Sequence, residues 1–395
     1  MFIKARYAIK SLYRGLFKRN GDISPLVTIN IYRDALIHNL NEFRKLTPHK
    51  SIAPTLKSNA YGHGITLIAK ELENEEIPFF VVDSYFEASL LRNENIKTPI
   101  LIIGYSSIEM IIKNRFENIY FTIANIESLK KLSSVANSKI IIHLKIDTGM
   151  HRQGLPLDEM GEAFDLIEGN RNIILEGICS HLSDADSNDD SFTNSQIKVW
   201  NDLVKKTKQS FPNIKYIHLS NTYGHKYSDK IDANTSRLGI GLYGLANING
   251  LDLKPILEMK TIISGIKKIE KGDSVGYNNT FTADKDMTIA TIPLGYYEGL
   301  DRRLSNKGYV KIDNIFCKII GRISMNITTI DVSEINNIKI GDVVQVISNL
   351  SDDKNSIHSI SEIADTIPYE AIISIPERLR RVIVKYLCAE LDSNQ

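Results

Sequence analysis

The chain has 395 residues, 43% of them hydrophobic, enough to bury at least one large core and to build two or three domains. Its 48 basic and 47 acidic residues nearly cancel, so no global field points to nucleic acid or to an acidic partner. Cys179, Cys317 and Cys388 are odd in number and far apart, which fits a reducing compartment.

The opening segment, residues 1–24, interleaves Lys4, Arg6, Lys10, Arg14, Lys18 and Arg19 with apolar side chains. If helical it is amphipathic, and it is read as a solvated extension packing one face on the body rather than as a membrane-surface helix. It holds no uninterrupted apolar segment and no small-residue cleavage site, and no run approaches the roughly 20 apolar residues of a membrane span. Cytoplasmic residence is the expectation.

From residue 25 to about 255, short apolar runs alternate with longer amphipathic segments. The runs "SIAPTLK" (51–57), "FFVVD" (79–83), "PILIIG" (99–104), "IYFTIA" (119–124), "IIIHLKID" (140–147), "LEGICSH" (175–181), "YIHLSN" (216–221) and "SRLGIGL" (236–242) give eight strands. Stretches such as "ITLIAKELENEE" and "IESLKKLSSVAN" between them repeat apolar residues at helical spacing. Eight strands separated by helices predict an α/β fold, a (β/α)8 TIM-type barrel over 25–255. A doubly wound open sheet is the alternative, but no G-x-G-x-x-G follows an early strand. Over 256–395 the helices give way to alternating runs and turns, a mostly β second domain, to which "LVTINI" near residues 26–31 could add a strand.

In such a barrel, active residues sit at the C-terminal ends of the strands. Lys57 ends the first, Arg152 follows the fifth, His181 closes the sixth, Asn221 and Thr222 close the seventh, and Arg237 lies on the eighth. Singly, side chains of these types are usually solvated scaffolding. Together, a mouth with Lys57, Arg152 and Arg237 beside glycines and small polar residues suits an anionic group. No H-E-x-x-H, cysteine cluster or G-x-S-x-G elbow is present, so neither a metal nor a serine nucleophile is expected. A lysine beside a phosphate cradle points to pyridoxal 5'-phosphate.

The string "LKSNAYGHG" resembles the cofactor-lysine motif of the alanine racemases, and "LKIDTGMHRQG", "SHLSDAD", "SRLGIGLYG", "SVGYNNTF", "PLGYYEG" and "GRISMN" resemble further motifs of that family, in its order. The resemblance implies a pyridoxal phosphate barrel followed by a β domain, in a homodimer that interconverts L- and D-alanine and supplies D-alanine for peptidoglycan. It implies Lys57 as the lysine bonded to the cofactor and the base on one face of the substrate. Tyr277, contributed by the second subunit, is then the base on the opposite face. Two bases are what inversion requires, since one would return the proton to the side it left. Tyr61, Asn221, Thr222, Gly239 and Ile240 match phosphate-holding positions; His181 and Arg237 match the network beside Tyr277 and the pyridine nitrogen. Arg152, Met325 and Tyr296 match substrate-binding positions, and Lys145 matches a lysine that some members carbamylate.

Three departures stand out. Ser324 and Asn326 replace the usual Cys and Asp, Tyr297 and Glu298 replace Ala and Asp, and Glu377 stands where several members place a phosphate-contacting tyrosine. The first two pairs match positions near the substrate entrance, so a serine or broader amino-acid racemase is an alternative. A basic amino-acid decarboxylase of the same fold would need an acid where Arg237 stands, and a non-catalytic cofactor carrier would not need Tyr277.

Overall fold

The computed structural model describes residues 25–385; the basic extension and Cys388 lie outside the described residues. Eight parallel strands form the first unit: β2 (Ser51–Pro54), β3 (Phe80–Val82), β4 (Ile100–Ile102), β5 (Ile119–Ile123), β6 (Ile140–Lys145), β7 (Ile173–Cys179), β8 (Tyr216–His218) and β9 (Thr235–Leu238). They coincide with the eight runs expected from the sequence. Strands β3 to β8 pair in chain order and β2 pairs with β9. A bridge between Thr55 and Val81 joins β2 to β3, while the N–H groups of Asn234 and Arg237 bond to the carbonyls of Ile217 and Ser220, tying β9 to β8. The ring is therefore closed. Strands such as β3, β4 and β5 are buried throughout, which is why they read as continuous apolar runs rather than alternating ones.

Helices cover the outside, and several carry the side-chain caps that fix their starts: Ser84, Ser107 and Asn125 each accept a bond from the backbone N–H three residues on. One helical position differs from the simple alternation. The segment between β8 and β9 is a 3-10 helix, Tyr223–Lys230, and the long helix Arg33–Leu46 precedes the first barrel strand. Asn39 of that helix donates to the carbonyls of Leu242 and Lys254, so the first helix among the described residues packs where the barrel ends.

Strand β1 (Thr28–Tyr32) belongs to the other unit. It lies between β10 (Leu257–Ile262), antiparallel, and β19 (Arg381–Val384), parallel, in a six-stranded sheet. That sheet continues through β18 (Val343–Ile347), β15 (Tyr309–Ile312) and β16 (Ile315–Lys318). A second sheet is built from β11 (Gly265–Ile269), β14 (Met287–Ile292) and β17 (Thr328–Asp331), with a small hairpin of β12 (Ser274–Val275) and β13 (Phe281–Thr282). Glu258 of β10 is buried, and its carboxylate accepts bonds from Asn30, Tyr32 and Gln345, which seals the junction of β1 with this sheet.

The barrel ladder has one irregularity. Between β6 and β7 the register steps at His143, which faces Gly177 while Ile142 faces Leu175. The step leaves Glu176 without a partner on β6, as in a β-bulge.

Candidate active site

Strand β2 ends three residues before Lys57, and the chain then turns with the wrong hand. Ser58, Asn59, Ala60 and Tyr61 all adopt φ between 52° and 56°, a left-handed turn built from non-glycine residues. Each such residue costs about 1–2 kcal/mol, so the turn must be held by its surroundings. The holding bonds are present. Glu87 accepts from the N–H of Asn59 at 3.1 Å, the Asn59 amide oxygen accepts from the N–H of Ile65 at 2.9 Å, and Arg381 Nε donates to the carbonyl of Gly62 at 2.7 Å. The buried His63 ring donates from Nδ1 to the Ala60 carbonyl and stacks on Tyr243. Gly62 is required at the exit: φ is 82°, and a Cβ there would lie 2.8 Å from the carbonyl oxygen of Ile372.

The turn aims Lys57 and Tyr61 into a cavity of about 590 Å³ at the C-terminal mouth of the barrel. Arg152, His181, Asn221, Thr222, Arg237, Gly239 and Ile240 line the same cavity, so nine residues singled out from the sequence are brought together. Lys145 lines it as well and donates to the side chain of Gln153 at 3.0 Å. Burial, with Arg237, Arg152 and Lys57 nearby, pushes the Lys145 ammonium below its usual range. Four cations against the single carboxylate of Asp83 make the mouth strongly attractive to an anion.

Arg237 is the organising cation. It is buried, and both arms of its guanidinium are engaged: Nη1 donates to His218 Nδ1 at 2.7 Å and to the His218 carbonyl, and Nη2 to the Ser180 and Leu219 carbonyls and to His181 Nδ1 at 3.1 Å. Nε alone has no acceptor among the described residues. A guanidinium has no lone pair to offer, so both histidines must accept through Nδ1 and carry their protons on Nε2. Burial and the neighbouring cations keep His181 well below its ordinary pKa, hence neutral.

Just past Arg237 the chain presents groups suited to a small dense anion. Thr222 Oγ1 accepts from the N–H groups of Gly239 and Gly241, while the N–H of Ile240, at the start of a 3-10 turn, has no acceptor among the described residues. Burial pushes the Tyr61 hydroxyl up to about 12, so it stays a neutral donor. A Cβ on Gly239 would come within 2.7 Å of the Tyr61 oxygen. We expect Gly239→Ala to displace that hydroxyl and weaken binding of the phosphate-bearing cofactor expected from the sequence by about tenfold, measured by absorbance titration with pyridoxal phosphate; unchanged affinity would remove Tyr61 and Gly239 from the cradle.

Tyr369, from the helix Pro368–Ile373, also lines the cavity, with its ring 5.8 Å from that of Tyr61. The sequence does not single it out, and Glu377, which stands where several family members place a tyrosine, does not line the cavity; the signal was a tyrosine directly after the proline that starts a helix. Tyr277, Tyr296 and Met325 are not in the cavity either. They lie exposed on adjoining loops of the second unit: Tyr277 is 66% exposed, the N–H of Tyr296 bonds to the Ser324 carbonyl, and the N–H of Tyr297 to that of Met325.

Comparison with known proteins fits this architecture. The family model described as "Alanine racemase, N-terminal domain" matches residues 31–247, and "Alanine racemase, C-terminal domain" matches 256–383. The alanine racemase of Fusobacterium nucleatum is 37% identical over 364 residues, covering 90% of this chain and 99% of that protein. That of Lactobacillus acidophilus is 35% identical over 369 residues, covering 90% and 96%. Among solved structures, alanine racemase of Clostridium difficile superposes with a TM-score of 0.84 at 29% identity, over 92% of this chain and 97% of that one. The Bacillus anthracis enzyme, solved with bound L-Ala-P, gives 0.84 at 26% identity, over 92% and 96%. With both halves matched in order and relatives above 30% identity along nearly their whole length, the chain belongs to the alanine racemase family.

Proposed function

We propose that the protein is a homodimeric, pyridoxal 5'-phosphate-dependent racemase that interconverts L- and D-alanine in the cytoplasm and supplies D-alanine for peptidoglycan. The observation that carries this reading is the cavity itself: Lys57, a cationic wall and an anion cradle in one mouth, in a chain of this family. Bound there, pyridoxal phosphate supplies an electron sink that acidifies the α-carbon of an amino acid.

The chain's own residues have separable tasks. Tyr61, Thr222, Asn221 and the Ile240 N–H hold the phosphate. Arg237 offers Nε–H as a fixed donor and no transferable proton, which restrains the cofactor ring and favours simple proton exchange. Arg152 and the Met325 N–H bind the substrate carboxylate, with Tyr296 beside it. Lys57 removes or returns the α-proton on one face, and the partner's Tyr277 does so on the other. Tyr277, Tyr296 and Met325 are each exposed and absent from their own chain's cavity, which supports supply from a second copy. A carrier without chemistry would have no use for Tyr277.

The positions that depart from the family pattern are linked in this chain. Asn326 donates to Glu298 at 2.9 Å, Arg378 donates to the Tyr297 carbonyl and to Glu298, and its guanidinium lies 3.5 Å over the Tyr297 ring. This cluster supports a second reading, a racemase that also accepts serine. Chiral chromatography of L-alanine, L-serine and L-lysine incubated with the loaded protein decides between them; no inversion of any of the three sinks both. Tyr277→Phe is expected to lower racemisation by about 10²–10⁴-fold while D-alanine still exchanges its α-hydrogen with deuterated water through Lys57. Loss of both reactions together would deny Tyr277 its separate face.

A further inference from the structure

Behind Arg237 the barrel interior holds a column of imidazoles. His218 Nδ1 accepts from the guanidinium at 2.7 Å, and His218 Nε2 lies 2.8 Å from Nδ1 of His143. Neither ring is exposed to solvent. The order of protons along the column follows from the cation at its head. A proton on His218 Nδ1 would face an N–H of Arg237, donor against donor, so it must sit on Nε2. His218 then donates to His143 Nδ1, and His143 must carry its own proton on Nε2.

The column ends there. His143 Nε2 has no hydrogen-bonding partner among the described residues, and the rings of Phe79, Tyr120 and Tyr216 surround the imidazole at 5.5, 5.5 and 5.7 Å. In that aromatic layer an apolar side chain would avoid this unpaired Nε2–H, at the cost of leaving the His218 Nε2–H without its acceptor. The backbone nevertheless makes room for a histidine. Gly177 faces it where the β6–β7 register steps, and a Cβ on Gly177 would stand 2.7 Å from His143 Nδ1, the atom that accepts from His218.

We propose that His143 is a positioning residue for Arg237: by accepting from His218 Nε2, it fixes the tautomer with which His218 holds one arm of the guanidinium, and so fixes where Nε points. Burial, with Arg237 and Lys215 nearby, keeps His143 neutral, its pKa lowered to about 3. The role rests on the racemase reading for its effect on turnover, but the tautomers are a property of the protein alone.

The experiment therefore has two arms on the cofactor-loaded enzyme. Nitrogen-15 shifts of labelled histidines should show His143 and His218 neutral, each protonated at Nε2, near pH 7; a charged ring, or a proton on Nδ1 of either, overturns the proposal whether or not the protein racemises alanine. In the second arm, His143→Leu should lower kcat about tenfold in both directions with KM almost unchanged, because Arg237 faces the cofactor and not the substrate carboxylate. His143→Asn, whose amide oxygen can replace Nδ1 as acceptor, should recover most of the loss. A lower melting temperature with kcat per bound cofactor unchanged in His143→Leu would make the residue merely structural and overturn the proposal.

Discussion

Subunits carrying Lys57→Ala and subunits carrying Tyr277→Phe, each nearly inactive alone, are expected to recover about a quarter of wild-type racemase activity when unfolded and refolded together in equal amounts. Random pairing makes about half of the dimers mixed, and a two-fold symmetric dimer has two equivalent sites. In a mixed dimer one site combines an intact Lys57 with an intact Tyr277, and the other has neither. The structure supplies the premise: Tyr277 is exposed on the second unit and does not line the cavity that holds its own Lys57. If Tyr277 served its own chain, mixing would restore nothing. The measurement is the initial rate of D-alanine formation before and after joint refolding.

The second large effect is acid instability beginning near neutrality. His63, His143, His218 and His225 are fully or almost fully buried. Burial lowers His63 and His143 to about 3 and His225 to about 4, and holds His218 well below its ordinary value. In the unfolded chain each titrates near 6.5. Between these limits the unfolded state binds more protons, so stability is complete above about pH 6.5 and falls as the pH drops through the folded values. Each group contributes a slope of about 1.4 kcal/mol per pH unit, and the four together about 5. A typical total stability is about 5–15 kcal/mol, so unfolding is expected by about pH 5, before most carboxylates titrate. Denaturant unfolding from pH 7.5 to 5 checks this. A flat stability curve over that range would mean that these rings are not held neutral.

The barrel was legible because its strands are buried on both sides and punctuated by amphipathic helices, a pattern that survives without any knowledge of pairing. So was the convergence at the mouth, since the end of a parallel strand fixes where Lys57, His181, Asn221 and Arg237 must point. Less legible was anything that depends on a neighbour far along the chain. Ser58 to Tyr61 look like ordinary strand-to-helix residues, and their left-handed backbone exists only because Glu87 and Arg381 hold it. His143 and His218 sit inside apolar runs and read as strand residues; the available signal was an ionisable group in the middle of each of two strands expected to be buried. The place of Tyr369 in the cavity wall likewise needed the packing of the Pro368–Ile373 helix.

Four successive left-handed residues have no tendency to form alone, so the segment after Lys57 cannot be an early element of folding. One of its ties, the Arg381 bond to Gly62, comes from the last strand of the described chain. During synthesis this tie is missing until some 320 further residues have been added, while the bonds from Glu87 and His63 are local to the first barrel units. The turn after Lys57 thus gains its full set of ties only once β19 has been made. A chain cut short of β19 would contain every barrel strand and Lys57, yet lack the bond from Arg381 that helps hold the left-handed turn beside it.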